Sequence, residues 1–476
     1  MSLMEERKVL TRERRLQTLS HYNGALEGLR DETNGAQILQ RVRTLTQVSP
    51  DEILYALRIL STIKDTAVVV HGAAGCAASG LGYHEEQPFR WYSTNLDERD
   101  TILGGDEKLR SACLRASRET HAKVIFIVGT PVIAINNDDV QSLILELSEE
   151  TDSELIFVYT DGFKTKTPLT GYDIVSHVLL KYVVGRAGAR VDGEIASGAG
   201  ADANLLPVNL LSFSENPESL AAIVSIFREL CIPFRLLPRY ASVETIQQAG
   251  NALASVALNP EEGQYLSDGL EECFQVPGLH LNPPVGLKNV RSFILRIAEL
   301  YGCSSAAEEY VERQESMLDR ELGGISLAGK RFFLDAPLPL LPGLLETIRH
   351  FGGEVVGLSV LSVDTESRGY LEKLPSLNPG TAVVVANGQP FEKANVIAKR
   401  KADYYLSYGG EVAFAGEIPG CIPVSLAHTA ILGYEGIRQL IGRIRDAVPW
   451  PLESPELYKK SWLRKSANWY VKQEVK

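Results

Sequence analysis

Short apolar runs separated by stretches of helical periodicity predict a multidomain α/β protein, built from Rossmann-like units around parallel sheets. Three observations carry this prediction. From about residue 64 the chain repeats a β-rich run followed by an amphipathic stretch, which is the pattern of successive βαβ units. The runs are apolar throughout rather than alternating, as expected of strands buried on both faces. The chain has 476 residues, more than one ordinary core holds, and so many strands in a single doubly wound sheet would be unusual.

The predicted strands cover residues 66–70, 123–128, 154–159, 205–213 and 234–237, then 331–334, 354–360, 382–385 and 404–406. Between them, residues 107–120, 138–149, 172–184, 218–230 and 290–300 place apolar side chains at helical spacing. Residues 185–204 are rich in Gly and Ala without a buried-strand run, and read as a loop or crossover. A charged helical stretch over 308–322 runs into Gly323-Gly324, which suit a helix end, and Lys330-Arg331 opens the next strand. The predicted domains are 1–200, 201–326 and 327–445. Residues 446–476, with Pro449, Pro451, Pro455, Trp462 and Trp469, form a tail expected to pack back on the first domain.

Composition narrows the function classes. Hydrophobic residues make up 45% and charged residues 23%, the balance of a soluble globular protein. The net charge is −12 and no long basic run is present, so nucleic acid is not an expected partner. No apolar stretch reaches the roughly 18–20 residues that span a bilayer. Glu5-Glu6-Arg7-Lys8 stands where a secretory signal needs an apolar segment. Six scattered cysteines without a CxxC pair are too sparse for a disulfide scaffold. A reducing cytoplasm is the expected location.

One cysteine is placed for chemistry. In Val68-Val69-Val70-His71-Gly72-Ala73-Ala74-Gly75-Cys76, Cys76 follows a buried strand in a glycine-bearing turn. Ligands bind beyond the carboxyl ends of strands in open α/β sheets, and glycines there permit close backbone approach. Amides at the start of the following helix would lower the thiol pKa and favour thiolate ligation. Position alone leaves two readings: a ligand or nucleophile, or a small residue buried under a turn.

The next segment adds a resemblance. Ser93-Thr94-Asn95-Leu96-Asp97-Glu98-Arg99-Asp100 leads into Gly104-Gly105-Asp106-Glu107-Lys108-Leu109. With His71-Gly72-x-x-Gly75-Cys76, this order and spacing resemble the nitrogenase component 1 family. That family holds catalytic nitrogenase subunits, cofactor-assembly scaffolds and related tetrapyrrole reductases. Gly171-Tyr172-Asp173, the proline-bearing 277–284 stretch with Gly286, Phe293-Ile294-Leu295-Arg296-Ile297-Ala298, Gly329-Lys330-Arg331 and Gly433-Tyr434-Glu435-Gly436 extend it along nearly the whole chain. The resemblance implies three Rossmann-like parallel-sheet domains of the nitrogenase component 1 type. It also implies an iron–sulfur cluster at a subunit interface.

Carried over residue by residue, the resemblance gives this chain one cluster cysteine. Catalytic members bring a first, a middle and a last cysteine, and only the middle one is matched, by Cys76. The first is replaced in Val48-Ser49-Pro50-Asp51-Glu52 and the last in Gly129-Thr130-Pro131-Val132. A [4Fe–4S] cluster takes about four ligands, so Cys76 and a cysteine-rich partner would complete one. This pattern resembles the β-type subunit of the iron–molybdenum cofactor assembly scaffold. Asp51 is a candidate stand-in carboxylate and also an ordinary helix-start residue. His71 either holds the turn or sits near the cluster, with Gly72 and Gly75 shaping the approach. The implied partners are a homologous α-type subunit and an ATP-dependent iron–sulfur reductase.

Other motifs lead elsewhere. The active-site metallocluster of catalytic α-type members is not transferred, because residues 250–259 lack a cysteine and His428 lies close to Gly433. Cys231, Cys273 and Cys303 fall in or beside helical patterns and read as packing residues, whereas Cys421 falls in a loop. Gly324-Ile325-Ser326-Leu327-Ala328-Gly329-Lys330-Arg331 nearly matches a P-loop, but it leads into a strand and ends on Arg331. Two rival functions stay open: a non-redox binding or scaffold subunit, and an unrelated enzyme such as a sugar-nucleotide-binding protein.

Overall fold

A computed structural model of the chain describes residues 14–34, 38, 51–78, 91–160, 167–185, 205–374, 381–386, 389–409 and 412–449. The chain divides into two compact units. One comprises residues 1–16, 50–214 and 233–280, and the other 17–49, 215–232 and 281–476.

The first unit holds two parallel sheets. In the four-stranded sheet the spatial order is Trp91–Ser93, Thr66–His71, Val124–Gly129, Glu154–Tyr159. Its two central strands are buried along their whole length, which is why their sequences are continuously apolar. Val69, Ile125 and Ile127 pack on the helix Asp106–Thr120 through Leu109, Ala112, Cys113 and Ala116. On the other face, Val68, Val70, Phe126 and Val128 share a core with the helices Glu52–Leu60 and Thr170–Tyr182. The second sheet runs Phe234–Pro238, Val208–Ser212, Ala254–Ala257.

Gly171-Tyr172-Asp173 is a packing device in this unit. A Cβ on Gly171 would lie 2.1 Å from the Glu52 carbonyl oxygen, so only glycine lets the two helices approach. Tyr172 is fully buried between Tyr55 and Phe213, and such burial contributes about 2–3 kcal/mol. Asp173 accepts 2.8 Å and 3.3 Å hydrogen bonds from the buried Arg15 guanidinium.

The second unit holds a six-stranded sheet. Five strands, Ile422–Ser425, Tyr404–Ser407, Arg331–Asp335, Glu354–Val360 and Ala382–Ala386, run parallel, and His21–Gly24 closes the edge antiparallel. Gly433-Tyr434-Glu435-Gly436 opens the helix Gly433–Asp446. Gly433 takes φ +69° and donates its N–H to the Pro284 carbonyl. A Cβ on Gly436 would lie 2.2 Å from the Ile431 carbonyl carbon. The Tyr434 hydroxyl donates to Glu315 at 3.1 Å.

Every predicted strand coincides with an observed one, and three of the strands that were missed have a physical reason. Trp91–Ser93 is a short edge strand that is only half-buried. Ala254–Ala257 is built of small residues because the helix Pro260–Phe274 comes close: a Cβ on Gly263 would lie 2.9 Å from that of Ala257. Ile422–Ser425 contains Pro423, which an edge strand tolerates. Among the described residues, no helix is long and apolar enough to cross a membrane.

Candidate metal centre

The strand Thr66–His71 ends at the carboxyl edge of the first sheet and turns into the short helix Ala74–Ala78, which carries Cys76. Cys76 is half-buried, and its N–H donates to the Ala73 carbonyl at 3.1 Å. Burial pushes its thiol pKa up, the Asp51 carboxylate adds to this, and a backbone hydrogen bond only partly offsets both. The expectation that helix-start amides hold this thiol low is therefore corrected. Cys76 lies within a single short turn, where desolvation outweighs the few aligned amides. A bound cation would reverse that balance.

Asp51 is brought close enough to Cys76 to act on its charge. Its Oδ1 accepts the Leu54 N–H at 2.9 Å and caps the helix Glu52–Leu60, the helix-start role read from the sequence. Ser49 lies outside the described residues.

His71 is fully buried, and burial lowers its pKa to about 4, so the ring is neutral near neutral pH. Its Nδ1 lies 3.2 Å from the Thr94 hydroxyl, and its Nε2 lies 3.8 Å from Asp138 Oδ2. Burial, then the Asp106 charge, raises the Asp138 pKa. Thr94 also accepts the Gly72 N–H at 2.9 Å, while Leu96 donates its N–H to the Gly72 carbonyl at 2.9 Å. The Ser93-to-Leu109 motif thus clamps the Cys76 loop. Asp97 and Asp100 form a capping box on the helix Glu98–Leu103, and Lys108 pairs with both carboxylates. A Cβ on Gly105 would come within 3.0 Å of His71 Cε1.

The two glycines of the loop differ. A Cβ on Gly72 would lie 2.1 Å from Thr130 Oγ1, so glycine is required there. Among the described residues, a Cβ on Gly75 would meet nothing within 4 Å. Thr130 escaped sequence reasoning as a site residue because a threonine after a strand ordinarily reads as a helix cap. It is fully buried, its N–H donates to the His71 carbonyl at 3.1 Å, and among the described residues its Oγ1 has no hydrogen-bond partner.

An apolar surface adjoins this edge. Ile102, Leu103 and Ile135 are 79%, 72% and 70% exposed. They project from the helices Glu98–Leu103 and Pro131–Asn136, which are joined by Asn136 Nδ2 donating to the Thr101 carbonyl at 2.8 Å. Exposed large side chains clustered in this way are a feature of binding faces.

The remaining cysteines do not converge on Cys76. Cys113 and Cys421 are buried in separate apolar clusters, and burial pushes both thiols up to about 12. Cys421 lies in the loop before the strand Ile422–Ser425, as read from the sequence, with its side chain packed into a core. The Cys303 thiol donates to the Ala298 carbonyl at 3.6 Å. Among the described residues, no group of three or more His, Cys, Asp or Glu side chains could hold a metal. A groove of about 690 Å³ belongs to the second unit, lined by Glu218, Ile226, Tyr310, Tyr434, Glu435 and Arg438 among others. It contains none of the predicted site residues.

Comparison with known proteins agrees with this architecture. The chain is 21% identical over 412 residues to the nitrogenase iron-molybdenum cofactor biosynthesis protein NifE of Methanococcus maripaludis, covering 83% of this chain and 81% of that one. It is 25% identical over 424 residues to the nitrogenase molybdenum-iron protein alpha chain of Methanothermobacter marburgensis, covering 83% and 86%. The solved structure of nitrogenase Cp1 at pH 6.5 superimposes with a TM-score of 0.71 at 16% identity, covering 87% of this chain and 95% of that one. The family described as nitrogenase component 1 type oxidoreductase matches residues 53–448, and the chain belongs to that family.

Proposed function

We propose that this chain is one subunit of a two-subunit reductase or metallocofactor-assembly scaffold, and that Cys76 is its single thiolate ligand to an interfacial iron–sulfur cluster. The observation that carries the reading is the placement of Cys76: half-buried, on a clamped loop at the carboxyl edge of a parallel sheet. The donor set fits one corner of a cluster and not a whole one, because a [4Fe–4S] cluster takes about four ligands. The remaining ligands come from a homologous α-type partner subunit. Asp51, whose helix cap uses Oδ1, offers Oδ2 to the same group.

When bound, the cluster supplies one-electron transfer. The chain's own residues position and shield it. Thr94 and Leu96 hold Gly72 at both its N–H and its carbonyl, and so fix the direction in which the loop leaves the strand. His71, neutral and buried, backs the turn without adding charge. At Gly75 no described residue comes within 4 Å of where a Cβ would stand, which leaves the loop open to close approach. The apolar face of Ile102, Leu103 and Ile135 excludes water when the partner covers it. An ATP-dependent iron–sulfur reductase would deliver electrons on this side, in the cytoplasm. The domain divisions 1–200, 201–326 and 327–445, with a tail over 446–476, belong to the same proposal.

A second reading, a non-redox binding or scaffold subunit without a cluster of its own, draws on the cofactor-biosynthesis proteins among the relatives. Family membership sets aside the sugar-nucleotide alternative. The test is co-expression with the cysteine-rich partner, anaerobic purification, and iron and sulfide analysis. Cluster content that depends on the partner and vanishes in Cys76→Ala supports the shared-ligand reading. Unchanged content in that variant refutes it.

A further inference from the structure

We propose that the Thr130 hydroxyl is a second contact of this chain with the group held by Cys76, donating its O–H to it. This rests on the cluster reading above. The observation is independent of Cys76: Thr130 is fully buried, and its Oγ1 has no hydrogen-bond partner among the described residues. Buried hydroxyls are normally satisfied, because burying one unpaired is unfavourable. Valine has nearly the same shape and would fill the site without that penalty.

The residue is also held in place. Its N–H donates to the His71 carbonyl at 3.1 Å, and its carbonyl accepts the Ile133 N–H at 3.0 Å. Its hydroxyl sits against Gly72, where a Cβ would lie 2.1 Å away. Gly72 opens the turn that carries Cys76. A neutral donor there fits a ligand rich in sulfur acceptors and negative charge. A hydrogen bond to cluster sulfur favours the reduced, more negative state and raises the potential.

The test compares Thr130→Val and Thr130→Ser, in the chain alone and in the loaded complex with its partner. Thr130→Val should leave the urea midpoint of the chain alone unchanged or higher. In the loaded complex it should shift the cluster's midpoint potential downward and alter its EPR spectrum, and Thr130→Ser should restore both. A lowered urea midpoint for Thr130→Val in the chain alone would show an internal role for the hydroxyl and overturn the inference. So would an unchanged potential and spectrum in the loaded complex. If Cys76→Ala strips the iron while Thr130→Val changes nothing, only the Thr130 inference fails. If Cys76→Ala leaves the iron in place, the cluster reading fails with it.

Discussion

Replacing Gly72 and Gly75 by alanine, one at a time, should give opposite results although both lie in the same short loop. At Gly72 the added Cβ would stand 2.1 Å from Thr130 Oγ1, 2.5 Å from its Cγ2 and 2.8 Å from its Cβ. Comfortable carbon contacts begin near roughly 3.5 Å. Thr130 is fully buried and tied through its backbone, so it has nowhere to swing. Overpacking of this kind costs about 1–3 kcal/mol, and the number of close atoms places Gly72→Ala at the upper end. Gly72 is not among the positive-φ residues, so the penalty is steric. At Gly75 the methyl meets none of the described residues within 4 Å and falls inside a helical turn, where alanine is favoured over glycine by about 0.5–1 kcal/mol. The two variants should therefore differ by roughly 2–4 kcal/mol. Urea unfolding, with limited proteolysis to localise the change, measures the difference. Gly72→Ala combined with Thr130→Gly should recover part of the loss. Gly75→Ala should be stable yet hold less iron in the assembled complex, because it adds a methyl to the residue next to Cys76 on the open side of the loop. Equal urea midpoints for the two single variants would refute the packing argument.

Two further predictions concern the clamp. His71 has a folded pKa of about 4 against an unfolded value of 6.5, so the unfolded chain binds the extra proton between these values. Its contribution is full above pH 6.5 and is lost as the pH falls toward 4, up to about 3 kcal/mol. His71→Gln should flatten the dependence of the urea midpoint on pH across that window, and an unchanged slope would exclude His71 as its source. Asp138, whose raised pKa acts in the opposite sense, is present in both proteins and drops out of the comparison to first order. Thr94→Val should leave the Gly72 N–H without its acceptor, costing about 1–3 kcal/mol. Hydrogen exchange at Gly72 should then accelerate, and Thr94→Ser should restore protection. Equal exchange in the valine and serine variants would show that the hydroxyl does not hold the loop.

Much of the fold was legible because buried parallel strands leave a direct mark on composition. Thr66–His71, Val124–Gly129 and Glu354–Val360 are almost continuously apolar, since helices cover both faces. The strands that escaped are those where another constraint overrode the pattern: close helix approach at Ala254–Ala257, and edge position at Trp91–Ser93 and Ile422–Ser425. His21–Gly24 pairs antiparallel with Ala382–Ala386. No local periodicity announces a partner that distant in sequence.

Cys76 could be named from sequence, since a cysteine beyond a buried strand, set among the Gly72, Gly75 and Ser93–Asp97 motif residues, is a local pattern. The chain order also sufficed to place it in the nitrogenase component 1 family. Tertiary structure alone decided the condition of that thiol and of the residues around it. Burial and the Asp51 charge push the Cys76 pKa up, where helix-start amides alone would have lowered it. Gly72 is obligatory and Gly75 is not, because only one of them faces Thr130. The Thr130 hydroxyl, buried against Gly72, is left without a hydrogen-bond partner among the described residues. These properties depend on which atoms surround a group in space, and residues far apart in the chain supply those atoms.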